Sequence, residues 1–229
     1  MDKKSHSLTP RLMAAAGFVR HGATIADVGT DHAYLPIYLV SKGIAKAAVA
    51  SDINEGPYLR ALTNIRANSL ENKISAVHCA GLCGIDAYSP TDIIICGMGG
   101  ELIASIIDEA KWTKNTSIRL VLQPMTHSEI LRDYLLKNGF AIIDERLAKE
   151  EKIYEIICAE YLGTDMPKIY SEEELLLGRH NIKAGGQAFC ELVSRHISTL
   201  KKISLAKSAA NAEHQKEDNL INKLQELIS

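Results

Sequence analysis

Asp27, Asp31 and Asp52 each stand at or just beyond the end of a short apolar run. Two of them bracket a single glycine turn, Asp27-Val28-Gly29-Thr30-Asp31-His32. A pyrophosphate needs backbone amides at a helix N-terminus and no carboxylate nearby, so this turn is a poor phosphate cradle. It suits a ligand with a cationic amino group, which gains a charge-assisted hydrogen bond from a carboxylate. Gly29 would let that ligand approach the backbone closely. Asp52, with Ile53 beside it, follows about 20 residues on, where an acid can accept both ribose hydroxyls. Dinucleotide enzymes use an acid there as well, so Asp52 alone does not separate the nucleotide cofactors. The Gly-x-Gly-x-x-Gly pattern, however, is not met. An amino-acid head joined to a nucleoside describes S-adenosylmethionine. The structural alternative makes Asp31 a helix N-cap before His32 and Asp27 a turn residue.

Two further turns belong to the same set. Gly97-Met98-Gly99-Gly100 follows the apolar run Asp92 to Cys96, and its glycines would open space beside a transferred methyl; alternatively it is a tight helix entry. Gln123-Pro124-Met125 offers a donor and an acceptor on Gln123, as would a solvated loop glutamine. Tyr154-Glu155 reads first as an edge-strand pair. His78, Cys79 and Cys83 lack a second ligand pair at zinc spacing, and no metal is expected.

The elements that must carry these residues alternate. Strands are expected at 24–29, 47–52, 73–79, 92–96 and 117–122, with helices at 32–42, 56–68, from 97 to about 110, and 128–138. Strands 140–147 and 153–161 follow, joined by only Ala148-Lys149-Glu150-Glu151, too short for a parallel crossover and suited to a hairpin. Five βα units closed by a β-hairpin is the outline of a Rossmann-like class I methyltransferase domain, a mostly parallel α/β sheet. Ligands of such sheets lie beyond the carboxyl ends of the strands. Residues 161–170, with Gly163 and Pro167, read as a linker. Beyond it Phe189, Leu192, Val193, His196, Leu200, Ile203 and Ala206, then Leu220, Leu224 and Leu227, recur at helical spacing. Two amphipathic helices in a coiled-coil-like hairpin, turning at 209–218, would bury these stripes. The expected division is 1–162 for the cofactor domain and 163–229 for the helical domain.

A net charge of −2 excludes wholesale wrapping of a polyanion and leaves only local basic patches. Lys3, Lys4, Arg11, Arg20 and His21 form one patch, and Arg195, Lys201, Lys202 and Lys207 another. The five scattered cysteines fit a reducing compartment. Met1 to Ser7 lack a signal-peptide core, and no apolar run is long enough to span a membrane. A soluble cytoplasmic protein is expected.

Leu8-Thr9-Pro10-Arg11-Leu12, Ala26-Asp27-Val28-Gly29-Thr30-Asp31-His32-Ala33-Tyr34-Leu35-Pro36, Gly97-Met98-Gly99-Gly100, Leu122-Gln123-Pro124 and Tyr154-Glu155 together resemble the bacterial tRNA (adenine(22)-N1)-methyltransferase family, TrmK. The resemblance covers nearly the whole chain, and its Asp-His-Ala-Tyr-Leu-Pro string is the specific part. It implies methyl transfer from S-adenosylmethionine to N1 of an adenine in tRNA, releasing S-adenosylhomocysteine. It implies a cofactor site of Asp27, Gly29, Asp31, His32, Asp52, Ile53, Gly81, Leu82, Gly97 and Met98. On the substrate side it implies Arg11, Gly99, Gly100, Gln123, Pro124 and Tyr154, with Asp31 and the Gly97 carbonyl facing the reacting base. The loop that usually reads Gly-Asp-Gly-Leu is here Cys79-Ala80-Gly81-Leu82, so a side-chain contact to the cofactor's adenine amine is missing and a backbone contact would replace it. Met125 stands where the family suggests Asn. A monomer or weak homodimer is expected. The rival readings are a methyltransferase for a small molecule or protein, and a non-catalytic RNA-binding protein with a residual cofactor fold.

Overall fold

The computed structural model describes residues 8–163 and 170–229; Lys3, Lys4 and Pro167, singled out above, lie outside them. Helix α1 (Pro10–Ala16) precedes the first strand and was not anticipated from periodicity. Its signal is Pro10 at the first helical position, where proline's missing N–H costs nothing. There follow β1 (Ala23–Val28), α2 (Tyr34–Ser41), β2 (Ala45–Asp52), α3 (Glu55–Ala67), β3 (Ile74–His78), β4 (Asp92–Met98), α4 (Gly100–Glu109), β5 (Arg119–Pro124), α5 (Ser128–Lys137), β6 (Phe140–Lys149) and β7 (Ile153–Tyr161).

These strands form one seven-stranded sheet in the order β3-β2-β1-β4-β5-β7-β6. β1 to β5 are parallel, whereas β7 runs antiparallel to both β5 and β6. Chain order reverses between β1 and β4, which places the switch-point crevice above Gly29 and Gly97. Helices cover both faces, so consecutive residues are buried. Ile94 joins the apolar cluster on one face, while Ile93 and Ile95 join the cluster on the other. All three are fully buried, and each contributes roughly 1.5–3 kcal/mol by leaving water.

Two expectations need correction. The helix expected from His32 begins at Tyr34, because Ala33 adopts a left-handed conformation (φ 55°), so Asp31 is not its N-cap. Tyr154-Glu155 is not an edge-strand pair either: β7 lies inside the sheet and β6 forms the edge.

The C-terminal segment holds α6 (Glu172–Leu177), α7 (Arg179–Ala184), α8 (Gln187–Ala209) and α9 (Gln215–Glu226). Two short helices therefore precede the expected pair. Ser171 starts α6 with a capping box, exchanging hydrogen bonds with Glu174. Leu192, Val193 and Ile197 of α8 pack with Leu220, Ile221 and Leu224 of α9, with Leu177 of α6, and with Ile153 of the sheet domain. The stripe on α8 stops earlier than its spacing suggests, since Ile203 is exposed.

Arg132 fixes this segment to the sheet. It is fully buried, bonds Glu145 at 2.7 Å and Glu155 at 2.5 Å, and donates to the carbonyls of Leu175 and Leu176 in α6. Ser128 donates to Glu155, and the His180 N–H donates to Glu145. Nearly every polar atom of the buried triad is thereby satisfied, as its low-dielectric setting demands. Among the described residues no helix is long and apolar enough to cross a membrane.

Candidate functional site

Where β1, β2 and β4 end, a cleft opens in two lobes that share Gly29, Cys96 and Gly97. The first lobe, about 440 Å³, is walled by Asp52, Ile53, Asn54, Ala80, Gly81 and Met98, and by α4 through Leu102, Ser105, Ile106 and Glu109. The second, about 420 Å³, is walled by Thr9, Arg11, Asp27, Thr30, Asp31, His32 and Tyr34.

Buried Asp52 accepts from the Asn54 N–H at 2.7 Å and from the Asn54 amide at 3.2 Å, both on Oδ1. Among the described residues its Oδ2 accepts no hydrogen bond, so one oxygen is available to the first lobe. Ile53 and Leu102, both lining this lobe, are 63% and 53% exposed and give it apolar surface.

Asp27 is buried beneath the second lobe. Desolvation pushes its carboxyl up to about 6, only partly opposed by the Thr30 hydrogen bond, and the nearby Asp52 charge adds to the rise. Cys96 beside it is likewise pushed far up by desolvation and by the Asp27 charge, so its thiol stays protonated. Asp31 sits at the exposed rim, ion-paired with Arg60 at 2.5 Å, with the His32 Nε2 3.3 Å from its other oxygen; His32 stacks on Tyr34.

The β4 turn is held from behind. A bulge after Cys96 places Gly97 at φ +81°, and buried Gln123 accepts from the Gly97 N–H at 3.1 Å and from Arg11 at 3.1 Å. The Gln123 amide donates to the Pro124 carbonyl at 2.8 Å. The Met98 side chain fills the space a Cβ on Gly29 would need. Arg11 lies over the Tyr154 ring at 5.5 Å, and its backbone N–H donates to Glu150 at 2.7 Å.

Of the residues singled out by sequence, Gly29, Asp52, Ile53, Gly81, Gly97 and Met98 meet in the first lobe; Arg11, Asp27, Asp31 and His32 meet in the second. Leu82 is buried in the core and lines only a neighbouring groove. Gln123 stands behind the cleft rather than in it. Pro124 and Tyr154 line a separate polar pocket of about 130 Å³ with His127, Glu155, Arg195 and His196. Gly99 and Gly100 line neither lobe, and Gly100 packs against the His127 backbone. Sequence reading passed over Thr30, Asn54, Ser105 and Glu109. Asn54 carried a signal, an Asp-x-Asn turn at a strand end; Ser105 and Glu109 carried only a shared helix face. Among the described residues no group of three or more His, Cys, Asp or Glu is placed to hold a metal.

Residues 25–228 match the tRNA (adenine(22)-N(1))-methyltransferase family, TrmK. The chain belongs to that family. Its sequence is 40% identical over 154 residues to the tRNA (adenine(22)-N(1))-methyltransferase of Bacillus subtilis, covering 67% of this chain and 65% of that protein, just under two thirds of its length. The crystal structure of the B. subtilis M1A22 tRNA methyltransferase TrmK superposes with a TM-score of 0.87 at 32% identity, over 97% of this chain and 99% of that one. A Streptococcus pneumoniae protein crystallised in complex with S-adenosyl-L-methionine gives a TM-score of 0.86 at 32% identity, over 97% of this chain and all of that one. The TrmK match includes the helical tail as well as the sheet domain, and it agrees with the family resemblance read from the motifs.

Proposed function

We propose that the protein is a tRNA methyltransferase that moves a methyl group from S-adenosylmethionine to N1 of adenine 22. The observation that carries the reading is the two-lobed cleft at the switch point, with a carboxylate at the end of each of two adjacent strands, in a chain of the TrmK family.

The residues fit the cofactor. Asp52 offers Oδ2 to the ribose hydroxyls, Ile53 and Leu102 offer apolar surface to the adenine, and Asp27 with Thr30 offers a buried anion to the amino-acid head. Gly29 leaves room at the junction, Gly81 lines the adenine side, and His32 the methionyl side. When bound, the cofactor supplies a sulfonium methyl that a neutral nitrogen can attack.

Adenine N1 carries a lone pair, so no general base is required. As the N1–carbon bond forms, the carbon–sulfur electron pair returns to sulfur and the base becomes a cation. The protein's work is positioning, an effect worth several kcal/mol at best alignment. Gln123 does this at second hand by holding both Gly97 and Arg11. Asp31 and the Gly97 carbonyl are assigned to face the exocyclic amine as positive charge develops. Asp31 reaches that role by exchanging Arg60 for the substrate. Arg11, in the second lobe, would bound the path along which a base swung out of its stack enters, while Gly99, Gly100, Pro124 and Tyr154, which line neither lobe, would shape that path from outside the cleft.

We assign residues 1–162 to cofactor binding and chemistry, and residues 163–229 to tRNA docking, in a cytoplasmic monomer or weak homodimer. Of the cations noted in the sequence, Arg20 is engaged with buried Asp92 and Lys207 with Glu217, whereas Lys201 and Lys202 are exposed and without an ion pair among the described residues.

The test is incubation with isotopically labelled S-adenosylmethionine and unmodified tRNA, followed by nucleoside analysis. Labelled 1-methyladenosine is expected, and base-specific nuclease fragments of the same tRNA should carry it at position 22. Methylation of an added protein or small molecule in its place, with tRNA untouched, would overturn the reading, as would absence of cofactor binding.

A further inference from the structure

We infer that Glu109, at the end of α4, is the residue that selects adenine over other bases in the nucleoside part of the cofactor, and that no side chain of the β3 loop performs this selection. The inference rests on the cofactor reading above. An acid at the end of the second strand fixes the ribose, so the base extends past Asp52 toward the end of β3 and the face of α4. The β3 loop offers no free polar side chain there. Ala80 has no polar side-chain atom, and the Cys79 thiol is turned toward the Gly81 carbonyl, 3.9 Å away. Asp52 is committed to its turn and to the ribose side.

That leaves α4. Ser105 and Glu109 are four residues apart on one helix face, and both line the first lobe. Ser105 donates to Glu109 Oε1 at 3.3 Å, which steadies the carboxylate and leaves Oε2 without a hydrogen bond among the described residues. Glu109 is also badly placed for the fold. It closes a helix whose last turn has no basic residue, at the negative end of the helix dipole. It has no ion pair among the described residues, whereas its neighbour Asp108 is held by Lys111 at 2.7 Å. A carboxylate with no structural partner, facing the base end of a nucleoside cleft, recognises a hydrogen-bond donor. The adenine exocyclic amine is such a donor; the C6 carbonyl of hypoxanthine would face the acid oxygen with an acceptor.

Calorimetric titration of the full chain with S-adenosylhomocysteine and S-inosylhomocysteine tests this, since the ligands differ at C6 and in the proton that hypoxanthine carries on N1. The wild type is expected to prefer the adenosyl ligand by about tenfold or more, the usual scale of a hydrogen bond to a charged group. In Glu109→Ala the two ligands should bind within about twofold of each other. In Glu109→Gln, whose amide can donate to the C6 carbonyl, preference should swing toward the inosyl ligand. An unchanged ratio in Glu109→Ala, or no preference in the wild type while S-adenosylhomocysteine binds, overturns the inference alone. Failure of the wild type to bind S-adenosylhomocysteine overturns the cofactor reading, and this inference with it.

Discussion

Gln123 Oε1 accepts a 3.1 Å hydrogen bond from the backbone N–H of Gly97, joining the end of β5 to the turn that floors both lobes of the cleft. The same oxygen takes Arg11. Replacing Gln123 by Ala leaves the partly buried Gly97 hydrogen bond unmade and frees the guanidinium, at a cost of about 1 kcal/mol. Gln123→Glu keeps the acceptor and should retain more activity than Gln123→Ala. The check is methyl transfer to tRNA alongside urea denaturation: equal activity in both variants would show that Gln123 does not position the turn.

Asp27 gives a pH dependence whose sign can be worked out. Its carboxyl rises from an ordinary 3.8 to about 6 in the folded chain. Between these values the folded state holds a proton that the unfolded chain has released, so stability falls as pH rises through the window and levels off above it. The loss amounts to about 3 kcal/mol. Asp27→Asn removes this term and should be more stable than the wild type at pH 7.5, yet bind S-adenosylmethionine more weakly. Denaturation of both proteins at pH 4, 5, 6 and 7.5 isolates the difference. A stability gap that does not grow with pH would contradict it.

Arg132→Met should be among the most damaging substitutions outside the cleft. It leaves Glu145 and Glu155 buried without their cation and the α6 carbonyls without a donor, a loss of about 3–5 kcal/mol. Limited proteolysis should then cut near α6 before the sheet. A variant as stable and as resistant as the wild type would show that the triad does not anchor the tail.

Gly100 lies so close to the His127 backbone that a Cβ there would collide with its carbonyl oxygen. His127 itself holds a left-handed conformation (φ 54°), so the loop has little freedom to retreat. Gly100→Ala should cost about 1–3 kcal/mol and depress methyl transfer more than cofactor binding. Calorimetry with S-adenosylhomocysteine separates the two effects, and unimpaired turnover would refute the coupling.

Lys201→Glu with Lys202→Glu, both exposed on α8, should weaken tRNA binding and flatten its salt dependence, while leaving cofactor affinity unchanged. Deleting the whole tail would be a poorer test, because α6 receives two hydrogen bonds from buried Arg132 and Leu177 packs with Ile153. Filter binding at several salt concentrations is the measurement; an unaltered salt slope would free these lysines of any role.

The sequence by itself determined the sheet, its hairpin and the carboxylates at the ends of β1 and β2. Those features are local: a short β-branched run such as Ile93-Ile94-Ile95, bounded by turn residues, reads as a strand covered on both faces, and a connection of only a few residues can only turn back. Most of the residues it singled out line the cleft, since residues at strand ends are brought together by the order of the strands. Only the tertiary structure decided that Gln123 works from behind Gly97, that Asp31 is a rim residue paired with Arg60, and that Glu155 belongs to a buried triad with Arg132. Those relations join positions distant in the chain, and a polar residue's spacing does not reveal whether it will be buried. The left-handed turn at Ala33 that withholds Asp31 from the cap of α2 carried no sign in the sequence, because alanine seldom adopts it without surrounding contacts to hold it there.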